Sequence, residues 1–239
     1  LIRNDFLNRK VDGIDRDQLV RGKLSFAPGK NLTVDVQAGW NDFKAGATHD
    51  SIPPGGDASR VVNPITSLYG KTFGSVGDAS VKVDLATGIG TLTAITAYTD
   101  LEESYRGDLD FSNPRDLPGG FLGFGFQAGQ GQDLRVRMTS QELRLTSPEN
   151  RSVRWIGGVY ALRTDRRMTT RAFVDVDSTL DQIDNPALGI INNPEKNRNT
   201  ATAVFGQVDI DLSKQTTLSA ALRHDRDERR QTDLNSGAV

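Results

Sequence analysis

The sequence predicts an all-β fold, an antiparallel transmembrane β-barrel that is partial: about nine strands of a larger barrel. Short turns would sit on one rim and long loops on the other. Three observations predict it. Apolar and polar residues alternate with period two, which turns successive strand side chains to opposite faces. Short polar turns near positions 29, 88, 149 and 214 alternate with long irregular stretches. The face opposite the apolar residues carries full charges, as a wet lumen would.

The elements follow in order. Leu1 to Val11 is a weak strand, closed by the polar turn VDGIDRD. Gln18 to Ala27 sets Val20, Gly22, Leu24 and Phe26 against Arg21, Lys23 and Ser25. Pro28-Gly29-Lys30 is a tight turn, because Pro fixes φ and Gly allows positive φ. Leu32 to Trp40 alternates most cleanly, with Leu32, Val34, Val36, Ala38 and Trp40 on one parity. Lys44 to Gly77 is a long loop containing Pro53-Pro54-Gly55-Gly56 and Asn63-Pro64. Val81 to Leu85, the turn Thr87 to Gly90 and an extended run from Thr91 to Asp110 follow, the last with mixed parity. Asn113 to Gln132 is a second long loop, rich in Gly and Phe. Leu134, Val136 and Met138 then share a parity that shifts before Leu143 and Leu145, which predicts a β-bulge near Thr139. After the turn Ser147 to Asn150, Val153 to Val176 is a long strand, and its lipid-facing parity, like that of Thr91 to Asp110, is left open. Asp177 to Arg198 is a third long loop. Asn199 to Asp225 is the clearest hairpin: Val204, Val208, Ile210 and Leu212, a break at Ser213-Lys214-Gln215, then Leu218, Ala220 and Leu222.

Composition narrows the function. Of 239 residues 36% are apolar and 25% charged, with a net charge of −2. The balance is too even for a disordered chain and lacks the basic excess of a nucleic-acid binder. There is no cysteine, so neither a disulfide scaffold nor a thiolate metal site is available. No apolar run approaches the ~18 residues of a membrane helix. The strand-like start at Leu1 and loop-like end at Val239 suggest a piece of a longer protein, residues 1–239 being barrel with no plug domain.

A soluble barrel or sandwich has the same alternation with its apolar face inward. Full charges on the polar parity favour the membrane reading, as do aromatics near strand ends: Phe26, Trp40, Phe43 and Trp155. The polar-parity residues expected to line a lumen or meet a plug are Arg21, Lys23, Asp35, Glu142, Arg144, Asp209, Asp211 and Arg223.

Ser140–Arg167 (SQELRLTSPENRSVRWIGGVYALRTDRR) and Thr202–Arg230 (TAVFGQVDIDLSKQTTLSAALRHDRDERR) resemble the barrel of TonB-dependent outer-membrane receptors. Thr91–Ser104 and Leu24–Trp40 are similar to earlier hairpins of the same family. The resemblance implies a bacterial outer-membrane protein with about 22 barrel strands and a plug in the complete chain. It implies binding and import of a scarce ligand, most often a ferric siderophore, with energy from the TonB complex. The implied partners are outer-membrane lipid, the plug of the same parent chain, TonB and the siderophore. No TonB box, plug or terminal aromatic strand is seen in this sequence. The alternatives are a passive outer-membrane pore and a soluble β-sandwich or barrel binding module.

No enzyme signature is present, and no cofactor or metal is expected. His49 and His224 are the only histidines and lie far apart. His49 reads as a loop residue and His224 as a rim or surface residue. Asp175 to Asp181 only faintly resembles a calcium loop, since Leu180 stands where Gly is needed and Pro186 where Glu is needed. Gly119 to Gln132 lacks the strand, helix and Lys of a phosphate cradle. Its Phe121, Phe124 and Phe126, with Tyr105 and Arg106, are the candidate ligand contacts, since concave sites use aromatic walls.

Overall fold

The computed structural model describes residues 2–47, 57 and 59–234. Eight long strands form one antiparallel sheet: β3 (Ile14–Gly29), β4 (Leu32–Gly46), β5 (Lys71–Thr87), β6 (Gly90–Asp108), β7 (Gln127–Thr146), β8 (Val153–Asp175), β9 (Gly189–Ser213) and β10 (Thr216–Asp233). They pair strictly in chain order, so β3 and β10 are the two edges and the sheet is open. The weak strand expected at the N-terminus is instead a separate two-stranded ladder, β1 (Arg3–Asn4) with β2 (Arg9–Lys10), closed through Asn8 at a φ of 52°. Asn tolerates that left-handed conformation. The sheet therefore has eight strands, not nine.

The four short turns stand where the sequence puts them, and all three long connections lie at the opposite end. The loops are shorter than expected because the strands reach further into them. β5 starts at Lys71, β7 at Gln127 and β9 at Gly189. Polar, Gly-rich ladders continue there without an alternating apolar pattern to announce them. The strands run from 15 to 25 residues, against the ~9–11 a tilted strand needs to cross a bilayer. More than half of the longest strands must lie beyond any apolar layer.

Register assigns every side chain to one of two faces, because directly opposed residues share a face. Leu85 opposes Leu32 and Leu92, Leu145 opposes Leu92 and Gly157, and Val159 opposes Leu143 and Val204. His224 in turn opposes Val204, and Leu218 opposes Ile210. One continuous apolar stripe therefore crosses all eight strands in the half near the short turns. Val20, Leu24, Val159, Val204, Leu218 and Leu222 on it are 49–80% exposed. No second layer covers it among the described residues. Register also places the two strands of open parity: the stripe takes Leu92, Ala94, Thr96 and Tyr98 on β6 and Val153, Trp155, Val159 and Ala161 on β8. Phe26 and Trp155 lie at its turn side, Trp40 and Tyr98 at its loop side. Phe43 opposes Gly74 on the other face and does not belong to this girdle.

The bulge expected near Thr139 is absent: β7 runs in unbroken register against both β6 and β8. The apolar parity shifts because the faces exchange character along the strand. Leu143 and Leu145 belong to the stripe, whereas Leu134, Val136 and Met138 belong to the opposite face further up. There Val136 opposes Leu101, which opposes Val76, and Leu134 opposes Met168.

Candidate functional site

Arg21, Lys23, Asp35, Glu142, Arg144, Asp209, Asp211 and Arg223 all fall on the face opposite the apolar stripe. Charges on this face are largely self-neutralised. Arg144 meets Glu142 at 2.9 Å, Lys82 meets Asp84 at 2.7 Å and Arg223 meets Asp225 at 2.8 Å. Arg154 donates to Asp211 at 2.8 Å, and the Thr217 hydroxyl donates to the same carboxylate at 2.7 Å. Side chains two apart on a strand share a face, so the pairs Arg144–Glu142, Lys82–Asp84 and Arg223–Asp225 follow from strand period alone, whereas Asp211 is reached across strands. Such a wall is polar and net-balanced, with the apolar patch around Leu101, Val136 and Leu134 above it.

The aromatic loop is a compact turn. Gly120, Gly123 and Gly125 have φ of 70°, 79° and 80°, and Gly125 N–H donates to Gly119 C=O at 2.9 Å. Glycine is required there, because positive φ is strained for other residues. The turn brings Phe121, Phe124 and Phe126 together, with the Phe124 and Phe126 rings stacked 6.0 Å apart. Phe124 is exposed, as is Leu122 beside it. Tyr105 and Arg106, adjacent in sequence, turn to opposite faces of β6. Tyr105 opposes Thr72 and Gln132 on the charged face. Arg106 points to the stripe side, where it is bound to Asp133 at 2.7 Å and to the carbonyls of Tyr105 and Gln132. The three phenylalanines are thus one unit, whereas the Arg106 side chain is engaged on the face opposite the Tyr105 side chain.

Below the rim, the loops are fastened by a small core and by buried carboxylates. Leu68, Phe173 and Ile183 pack together with Leu180 against them. Asp108 accepts from Ser67 N–H at 3.2 Å, Leu68 N–H at 3.3 Å and Phe111 N–H at 2.6 Å. Asp110 accepts from Ser112 and Ala128 N–H, and Asp175 from Ser178 N–H and the Ser67 hydroxyl. These acids replace missing ladder partners where the strands end. Asp175 and Asp177 thus hold their own loop closed, since Asp177 accepts from Thr179 N–H at 2.9 Å. Among the described residues no group of three or more His, Asp or Glu is arranged to hold a metal. His49 lies outside the described residues, and His224 is on the stripe face of edge strand β10.

Asp108 stands at the loop end of β6, beyond the stripe, which ends on that strand at Tyr98. Burial raises its pKa to about 8 from 3.8, with the nearby Asp110 charge pushing the same way. The raised value means that the folded loops hold a proton that the unfolded chain has released. That contribution to stability is complete below about pH 4 and is lost as pH rises through about 8. Amide exchange at Ser67 and Leu68, corrected for intrinsic rates, is expected to quicken across that window. Asp108→Asn should flatten the response; an equally steep response in the variant would contradict this origin.

What the sequence missed is the apolar patch on the charged face and the charge on the stripe face above the stripe. The signal was present in the parity switch of β7, but a bulge explains the same switch until the register is known.

The fold and its faces define a class: a single-layer antiparallel barrel wall, open at both edges, with short turns at one end and long loops at the other. No protein-family model matches the sequence, and no curated protein matches it. Solved structures share the fold. The ferric yersiniabactin uptake receptor FyuA from Yersinia pestis matches with a TM-score of 0.62 and 12% identity, over 96% of this chain and 36% of that one. BauA, the ferric preacinetobactin receptor from Acinetobacter baumannii, matches with a TM-score of 0.58 and 12% identity, over 92% of this chain and 35% of that one. The chain therefore spans about a third of the length of these receptors.

Proposed function

We propose that this chain is the part of an outer-membrane receptor barrel that spans residues 1–239, with the plug supplied by the rest of the same parent chain. The complete receptor binds a ferric siderophore or similar scarce ligand and imports it with energy from the TonB complex. The observation that carries the reading is the exposed apolar stripe on an open sheet that superposes on ferric-siderophore receptors over nearly its whole length. The stripe meets lipid, the charged wall faces the lumen and plug, and the edges β3 and β10 pair with the remaining barrel strands, since open edges are not tolerated in lipid. The aromatic turn and Tyr105 contact ligand at the rim. The role is binding and gated passage, with no covalent chemistry.

The test is uptake of radiolabelled ferric siderophores by cells carrying the full-length protein, with and without TonB. Uptake that vanishes without TonB, and falls when Phe124→Ala is introduced, supports the reading. Uptake indifferent to TonB would make the protein a passive pore. A chain recovered folded and monomeric from the soluble fraction would make it a soluble binding module.

A further inference from the structure

Toward the loops, beyond the apolar patch around Leu101 and Val136, the face opposite the stripe loses its charge. Thr72, Tyr105, Gln132, Thr170 and Asn193 stand directly opposite one another across the five strands β5 to β9. The next row toward the loops, Gly107, Gln130, Ala172 and Ile191, is neutral as well. From the patch to the loop ends, the only cation on this face of β5 to β9 is Arg166. It is already held by Glu195 at 3.4 Å and by the Met168 sulfur at 2.7 Å. At the same height the stripe side carries Lys71, Arg106, Arg135, Arg167, Arg171 and Lys196. Cations are thus sorted to one side of the sheet and neutral hydrogen-bonding groups to the other.

The neutral row has an aromatic centre. A Cβ at Gly107 would come within 2.7 Å of the Tyr105 phenol oxygen and 3.1 Å of its Cζ. The glycine therefore lets the ring lie along the strand, with one ring face turned away from the sheet. Next to it the Gln132 amide donates to the Met168 sulfur at 3.0 Å, which holds the carboxamide between the row and the apolar patch. The loop core does not cover this face, because Phe173 and Ile183 pack over Gly129 and Gly131, which have the stripe's parity.

The receptor reading above puts this face in the lumen. Resting on it, we propose that the imported ligand is uncharged and rich in hydroxyl groups, an oligosaccharide rather than an anionic ferric complex. An anionic complex presents acceptors and is held by charged donors, which this row lacks. A sugar hydroxyl both donates and accepts, as do the Gln132 and Asn193 amides and the Thr72 and Thr170 hydroxyls. The C–H face of a sugar ring suits the negative face of the Tyr105 ring. Leu101, Leu134 and Val136 below supply the apolar floor common in ligand sites.

The experiment titrates the full-length protein in detergent with a panel: short neutral oligosaccharides of varied linkage, their uronic-acid counterparts, a ferric tris-catecholate and a ferric tris-hydroxamate. A neutral oligosaccharide is expected to bind. Its affinity should not change between about 50 and 500 mM NaCl, since screening acts only on charges. Gln132→Leu should weaken binding about fivefold, the loss of one hydrogen bond, and Tyr105→Ala by more. Arg167→Gln, on the stripe side, should leave it unchanged. The panel on the unmodified protein tests the proposal even if the variants do not fold. Binding of a ferric complex or a uronic acid with no neutral oligosaccharide bound would overturn it. Uptake by cells separates this from the reading beneath it. A ferric complex imported only with TonB would leave the receptor standing and sink the oligosaccharide. Saccharide uptake indifferent to TonB would sink the receptor reading on which the proposal rests.

Discussion

Val208→Arg is expected to cost about 2–4 kcal/mol when the protein folds into lipid vesicles, the cost of an arginine on the lipid face near mid-bilayer. Val208 lies within the stripe, opposite Trp155 and Ala220, and is 40% exposed. Its neighbour Gln207 points to the charged face, where its amide donates to Asp209 at 3.0 Å. Gln207→Arg therefore keeps an acceptor and a polar setting, and should change stability by no more than ~0.5 kcal/mol, as ordinary surface substitutions do. One position along the strand thus separates a large effect from almost none. Urea titration in vesicles, followed by Trp fluorescence, measures both. In a soluble fold that leaves this face in water, both variants would be nearly neutral. In a soluble sandwich that buries it, Val208→Arg would be costly without any lipid. Comparing detergent-free buffer with vesicles therefore tells the three apart.

The sequence carried the fold well where one face is apolar and the other charged. The hairpin of β9 and β10 around Lys214 is legible from Val204, Val208, Ile210, Leu218 and Leu222, because a stripe forces strict alternation on every strand that crosses it. Beyond the stripe that force is absent. The upper halves of β7, β8 and β9 are held by backbone ladders and ion pairs, and residues such as Gln130, Arg166 and Asn193 betray no face. This is why loop lengths were overestimated and why Leu134, Val136 and Met138 suggested a bulge. That eight charged residues share the face opposite the stripe was legible because strand parity is local. The basic row of Arg135, Arg167 and Lys196 was not, since it exists only across three strands whose register a single sequence does not fix. The loop core was equally hidden: Leu68, Phe173 and Ile183 come from three distant segments with no periodicity to link them.

That core sets the other large effect. Phe173→Ala is expected to cost about 3–5 kcal/mol, the range for truncating a buried Phe, and the loss should be local. Phe173 is 1% exposed, and its ring covers Gly129, directly opposite on β7, where a Cβ would come within 2.1 Å of it. A register shift against β9 between Ala172 and Phe173 interrupts the ladder on that side, while pairing with β7 continues to Asp175, so side-chain packing supplements strand pairing at this loop end. Leu68 and Ile183 belong to the same cluster, and Ser67 ties Asp108 to Asp175. Removing the ring should release residues 61–70 and 176–188 together. The lower ladders, with their unbroken hydrogen bonding, should stay closed, because local openings need not propagate through a sheet. Hydrogen exchange should quicken at Ser67, Leu68 and Ile183 and remain unchanged at Val204 and Val208. Uniform loss of protection along β8 and β9 would mean instead that the loop core nucleates the whole wall. Ligand affinity should fall with the local outcome, since rim loops that must be ordered on binding add their entropy cost to association.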